Sequence, residues 1–306
     1  MSSFFNPSAQ IFLANLSVIE TKNQTVQEQL SSGYQINQAS DAPDEISDFL
    51  QLQAGAARNA QITSNLTSVQ TNAQSADQAL TNAQDLINQA LSLGSQGASS
   101  NVTATTRQQL GAQVQSIFQQ IVSISRTSVA GTYIFSGDAS QSPAYQLDPS
   151  SANGVDQLST AGNTIQAEDS NGAEFPTGLT AQQIFDARNS DGSYASTNVF
   201  ASLTNLANAL NTNNTAGITS AINSVQQSST FVATQQSFYG TVENRVTQAL
   251  TLASDLSVSL TTQISNIRDT NTAEAATQLT AGATELNAAL AAQSKAPTTS
   301  LFNFLG

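Results

Sequence analysis

The sequence predicts a mainly α-helical protein. Its N- and C-terminal segments would form a long antiparallel helical, coiled-coil bundle, with a small β-containing insertion at the centre. Three observations predict this. Apolar residues recur at spacings of three and four through both outer parts of the chain. Gly and Pro concentrate between residues 131 and 198. The two amphipathic outer parts are nearly symmetric about that middle, so a middle that folds as its own module obliges the ends to pair across the whole chain.

Taken in order, Phe12, Leu16, Ile19, Val26 and Leu30 share one helical register, with Asn23 inside the stripe. Ser31-Ser32-Gly33 breaks it. The polar stretch 37–48, which contains Pro43, reads as a turn or extended connector. Ile62, Leu66, Val69, Ala73, Ala76, Leu80, Ala83, Ile87 and Ala90 then alternate by four and three without a miss, the pattern of a long helix with a coiled-coil seam. Its alanines let a partner helix approach closely, and Gly94 to Asn101 is expected to end it. A second helix begins near Thr105, with Leu110, Val114, Ile117, Ile121 and Ile124 in one stripe.

From Gly131 to about Asn198, short apolar pieces alternate with turn signals such as Ser136-Gly137-Asp138 and Asp191-Gly192, which predicts short strands. Helical periodicity returns with Phe200, Leu203, Leu206 and Leu210. A longer stripe runs from Ile218 to Ile267, and an irregular register is expected between Val232 and Val242. Asp269 to Thr272 reads as a break. A last helix carries Ala276, Leu279, Ala283, Leu286 and Leu290, stopped by Pro297 ahead of an apolar tip at 301–305.

Composition excludes several function classes. Charged residues make up only 9% of the 306, with 21 acidic against 8 basic. The basic residues are scattered, which argues against a nucleic-acid partner, since phosphate binding rests on clustered Lys and Arg. Without Cys there are no disulfides or thiolate sites, and without His the commonest general base and metal ligand are gone. Ser and Thr are abundant but lack an activating His. Asp41, Asp44, Glu45 and Asp48 read as a helix start favoured by the helix dipole rather than a cation site. Residues 186–192 lack the terminal carboxylates of a calcium loop and read as a turn. The expectation is therefore no catalytic, cofactor or metal residues, and no enzyme.

Met1 to Leu13 has neither the basic nor the long apolar region of a cleaved signal peptide. No run approaches the roughly 18 apolar residues of a membrane span, so no membrane partner is expected. What remains is the pair of apolar stripes at the ends. Apolar area seeks burial at about 25 cal/mol per Å². The inner helices can satisfy one another. The end stripes, Phe12, Leu16, Ile19, Val26, Leu30 and Ala276, Leu279, Ala283, Leu286, Leu290, are expected to form an intermolecular assembly interface. On that reading the monomer is ordered from about 45 to 265 and disordered at both ends.

Specific motifs add to this. Leu30-Ser31-Ser32-Gly33-Tyr34-Gln35-Ile36-Asn37-Gln38-Ala39-Ser40-Asp41 resembles the LSSG-x-x-IN-x-A-x-D segment of the bacterial flagellin family, and Ile267-Arg268-Asp269-Thr270 onward resembles that family's C-terminal connector and helix. The family contains filament flagellins and the shorter hook–filament junction proteins (hook-associated protein 3). Asp41-Ala42-Pro43 and Gly131-Thr132-Tyr133-Ile134-Phe135-Ser136-Gly137 look more like the junction branch, as does the re-entry from Thr180–Asp186 into Val199–Leu206. Against this, the LSSG and Ile36-Asn37 pieces are very flagellin-like, and short filament flagellins exist.

The resemblance implies a structural subunit of the flagellum, extracellular, exported unfolded without a cleaved signal. It implies a terminal coiled-coil inner domain (1–40 with 270–306), a helical bundle domain (41–135 with 199–269) and an outward-facing β-rich insertion (136–198). The implied partners are further copies of the chain in a helical assembly, the other junction protein, flagellin and an export chaperone. A secreted coiled-coil adhesin or a type III needle-tip protein with similar end helices is the alternative from another class.

Overall fold

The computed structural model describes residues 7–295, so the expected stop at Pro297 and the apolar tip at 301–305 lie outside the described residues. The helices are α1 (Pro7–Ser32), α2 (Ile46–Ala98), α3 (Ala104–Ile124), α4 (Ala181–Phe185), α5 (Val199–Asn211), α6 (Thr215–Arg268) and α7 (Thr272–Ser294). The chain divides into two compact units, residues 1–58 with 257–306 and residues 59–256. Both divisions fall inside a long helix, α2 or α6, rather than at the connectors near 41 and 270. The central insertion lies within the second unit.

In the second unit the four–three seam of α2 is buried throughout, except at half-buried Val69. The seam of α6 corrects the expected shift of register. Ile218, Ala221, Val225, Ser228, Val232, Tyr239, Val242, Val246, Ala249 and Ala253 are all buried, and half-buried Gln235 completes a regular three–four spacing. Polar residues in the seam hid the regularity. That of Ser228 is satisfied: its hydroxyl donates to the Ser224 carbonyl at 2.9 Å and lies 3.0 Å from Ser202 Oγ. Hydrogen bonds also cross between α2 and α6. Asn59 Nδ2 donates to the Ala253 carbonyl at 2.7 Å, and Gln84 Nε2 to that of Ser229 at 2.8 Å.

The helix α2 ends at Ala98, within the expected stretch 94–101, after continuing through Gly94 and Gly97. Both glycines permit close approach. A Cβ on Gly94 would stand 3.0 Å from Ile222 Cγ1, and one on Gly97 would meet Leu210 Cδ2. Past Ala98 the buried Arg107 binds carbonyls at that helix end. Its Nε donates to Gly97 O at 2.7 Å and its Nη2 to Ser99 O at 2.9 Å.

The insertion is less β-rich than expected. It holds three separate antiparallel pairs: β1 (Ser128–Val129) with β2 (Thr132–Tyr133), β3 (Tyr145–Leu147) with β4 (Val155–Gln157), and β5 (Gln166–Glu168) with β6 (Glu174–Pro176). Pairs this short have little stability of their own. Aromatic packing holds them to the helices. Phe135 meets Phe185 and Tyr239 edge-on at 6.0 and 6.4 Å, and Tyr145 and Phe185 lie against Phe200 of α5 at 5.2 and 5.8 Å.

One buried carboxylate ties the insertion to its exit. Asp186, with no exposed side-chain surface, accepts hydrogen bonds from Tyr145 Oη (3.0 Å), Asn153 Nδ2 (3.2 Å) and Asn198 Nδ2 (2.8 Å), and from Arg188 Nε and Nη2 (3.0 and 2.7 Å). Asn198 in turn caps α5, accepting from the Ala201 amide. Burial, then the Asp186 charge, pushes the Tyr145 phenol well above its usual value, and burial does the same to Tyr239.

Candidate assembly surface

In the terminal unit, α1 and α7 pack against each other as helices, where disordered ends were expected for the monomer. They run antiparallel: Tyr34, just past α1, bridges Asp269, just before α7, and Asn23 lies against Gly282. The α1 stripe lies where its spacing placed it. Val26 is buried, and Phe12, Leu16, Ile19, Asn23 and Leu30 are half-buried.

The expected α7 residues divide between two faces of the helix. The face turned inward carries Ala275, Leu279, Gly282, Leu286 and Ala289, again spaced four and three. Leu279 and Leu286 belong to it. Ala276, Ala283 and Leu290 do not: they sit one residue round the helix and are exposed. Gly282 carries no side chain, so the inner face is not marked by an apolar residue at that level, and the alanines beside it lie on the other face.

The consequence is a second apolar stripe facing solvent. On α7 it is Ala276, Ala283 and Leu290, seven residues apart. On α1, Ile11 and Val18, also seven apart, are 63% and 67% exposed, and Leu13 is exposed as well. Each end helix therefore has one apolar face covered by its partner and another left uncovered.

The motif at 30–43 forms a clamp at the end of this pair. Gly33, at φ +76°, takes the left-handed conformation that ends α1, and its amide donates to the Gln29 carbonyl at 2.9 Å. Ser31 donates to the Glu28 carbonyl and Ser32 Oγ accepts from the Tyr34 amide, so both serines serve the helix end. The chain then crosses the α6–α7 connector. Gln35 and Ile36 amides both point to the Arg268 carbonyl, at 2.6 and 3.4 Å, and the Thr270 amide donates to Gly33 O at 3.0 Å. The Arg268 guanidinium lies 4.2 Å over the Tyr34 ring and donates to Asp269 at 2.8 Å.

Ile36 is buried. Asn37 donates to the Tyr34 carbonyl, and Asp41 accepts from the Asn37 and Gln38 amides at 2.9 and 2.7 Å. Asp41 thus holds its own loop, and Pro43 stands exposed before α2. The Ser265 hydroxyl, then Arg268, holds the Asp269 carboxyl below the usual carboxylate range, and Asp269 holds Arg268 above its own. Sequence reasoning missed the stacking of Tyr34 under Arg268. It could have been suspected only by supposing that the two connectors cross.

The second motif lies in the other unit. Ala130 and Gly131, at φ +50° and +82°, form the two-residue turn between β1 and β2, which favours residues that tolerate left-handed backbone. Tyr133 is half-buried and Phe135 fully buried. At Gly137, φ is +55° and a Cβ would stand 2.7 Å from the Asn163 carbonyl oxygen. These residues build the fold of that unit.

Among the described residues, no group of three or more His, Cys, Asp or Glu is placed to hold a metal ion, and no helix is long and apolar enough to cross a membrane.

Residues 5–140 match the bacterial flagellin N-terminal helical region, and residues 222–305 the bacterial flagellin C-terminal helical region. No curated protein matches the chain. Among solved structures, a flagellar hook-associated protein from Vibrio parahaemolyticus is similar, with a TM-score of 0.63 and 19% identity, over 75% of this chain and 100% of that one. FlgL from Xanthomonas campestris aligns with a TM-score of 0.56 at 16% identity, over 71% of this chain and 99% of that one. The flagellar junction protein FlgL from Legionella pneumophila aligns at 0.53 and 12% identity, over 65% and 99%. Two matched regions that together span most of the sequence, on a fold that pairs its two ends, place this chain in the bacterial flagellin family, whose members are structural subunits of the flagellum.

Proposed function

We propose that the chain is the junction subunit that joins hook to filament, of the hook-associated protein 3 type, and that it self-assembles through its end helices. The observation that carries the assembly reading is the uncovered heptad stripe on each helix of the terminal pair: Ile11 and Val18 on α1, and Ala276, Ala283 and Leu290 on α7. An apolar stripe left facing water on an already paired helix gains most by packing on neighbouring copies. The junction assignment is supported by the similarity to three hook-associated or junction chains over almost their whole length, and by the Gly131–Gly137 turn.

On this reading the insertion at 136–198 faces outward. The other junction protein lies on the hook side and flagellin on the filament side. An export chaperone keeps the chain competent for unfolded passage through the flagellar export apparatus to the extracellular flagellum. Its role is structural, with no catalysis. Immunogold labelling of whole cells with antibody against residues 136–198 tests the assignment. Gold at one spot where hook meets filament is expected. Gold along the whole filament would instead make the chain a filament flagellin.

A further inference from the structure

The seam between α1 and α7 contains one polar residue and one glycine, and they lie against each other. A Cβ on Gly282 would stand 2.9 Å from Asn23 Cγ, 3.2 Å from its Nδ2 and closer still to Oδ1. Glycine in a helix interior weakens the helix, yet the neighbouring seam positions of α7 are Leu279 and Leu286. The α1 seam is otherwise Phe12, Leu16, Ile19, Val26 and Leu30. Neither departure from an apolar seam strengthens its own helix. Together they fit, because the missing side chain makes room for the carboxamide, which stays half-exposed and so keeps access to water.

We propose that Asn23 and Gly282 are a specificity pair that fixes the antiparallel register of the two end helices. Every other register is worse on both sides. A half-heptad slip sets Asn23 against Leu279 or Leu286, desolvating the amide without a partner, and brings Gly282 to the level of Ile19 or Val26. A full-heptad slip sets Asn23 against Ala275 or Ala289 and leaves Gly282 opposite Leu16 or Leu30. Along α7 itself, which is alanine-rich and carries Glu274 and Glu285 as its charges, little else distinguishes one register from another, so the pair acts within the seam while the Tyr34–Asp269 bridge and the Thr270–Gly33 hydrogen bond act at its end. A single polar seam residue setting register is the coiled-coil device seen here in a pair made of one chain's two ends. The correct register also sets which apolar side chains line up on the uncovered face. That consequence alone rests on the reading of these helices as the assembly element.

The chain has no cysteine, so Glu20→Cys and Glu285→Cys provide the sole sites for spin labels. Both positions are exposed, and they stand opposite each other, three residues from Asn23 and Gly282 along their helices. A slip of half a heptad moves them apart along the axis by about 5 Å, and of a whole heptad by about 10 Å. One narrow distance is expected in the labelled parent chain. Gly282→Leu is expected to shift or broaden it, as is Gly282→Asn alone. The exchange Asn23→Gly with Gly282→Asn, which keeps the composition constant, is expected to restore the narrow distance. A parent distance retained in Gly282→Leu would overturn the proposal. So would an exchanged chain no narrower than Gly282→Asn alone. Restored distance in an exchanged chain that fails to join the flagellum would support the register pair while counting against the assembly role of the uncovered face.

Discussion

Replacing Asp186 with alanine removes the acceptor on which five donated hydrogen bonds converge. Three of the donors, on Tyr145, Asn153 and Asn198, belong to residues that are almost fully buried, and they lose their carboxylate partner with little access to water. Each unsatisfied buried donor costs about 1–3 kcal/mol, and breaking a buried ion pair costs about 3–5 kcal/mol. These losses overlap, because the same acceptor serves all the donors. Arg188 is one-third exposed, so it recovers part of its hydration. The expected loss is about 4 kcal/mol. In a unit of this size that lowers Tm by about 8–16 °C. Guanidinium unfolding followed by circular dichroism and tyrosine fluorescence measures it, and Tyr145 reports locally. A loss below about 1 kcal/mol would refute the reasoning, because it would mean that water or a shifted side chain satisfies the donors at little cost. Tyr145→Phe, which removes one donor and leaves four, should cost about 1 kcal/mol.

Five other perturbations follow from the same structure. Gly97→Ala should destabilise: helix propensity favours it by about 1 kcal/mol, but overpacking under Leu210 costs about 1–3 kcal/mol, and a raised denaturation midpoint would show that Leu210 yields. Stability should fall as pH rises above about 10, where unfolded tyrosines ionise while Tyr145 and Tyr239 stay protonated in the fold. Denaturation midpoints across that range check this, and a midpoint that stays flat would mean that both phenols ionise in the native protein as readily as in the unfolded chain. The Asp269 contribution to the clamp, whose carboxyl is held low, should be complete above the ordinary value of 3.8 and lost as pH falls through its lower folded value; faster exchange of the Gln35 and Ile36 amides reports the loss. Leu290→Asp should leave the α1–α7 pair intact yet reduce incorporation roughly ten- to a hundredfold, given about 1.5–3 kcal/mol for a buried leucine. Leu286→Asp should break the pair itself, and equal helical signal from the two variants would erase the distinction between the faces.

Legibility differed from element to element for physical reasons. The seam of α2 was legible because only apolar residues occupy it. The seam of α6 was only partly legible, because Ser228 and Gln235 stand at seam positions; the hydroxyl of Ser228 is satisfied by a backbone carbonyl and a facing hydroxyl. The insertion was legible as turns from its glycines and prolines. Its buried carboxylate was not, because nothing local distinguishes Asp186 from Asp191. Only folding brings Tyr145, Asn153 and Asn198 to the former, while the latter accepts from its neighbour Ser193.

The sequence by itself determined the helical class, the paired ends, the α1 stripe and the motifs that mark the family, because periodicity and local turn chemistry are written residue by residue. The tertiary structure alone decided which face of α7 is covered, how Arg268 comes to stack on Tyr34 and why Asn23 can sit in an apolar seam. Each of these depends on a contact between residues more than two hundred positions apart, and in the seam the partner of Asn23 is a side chain that Gly282 does not have.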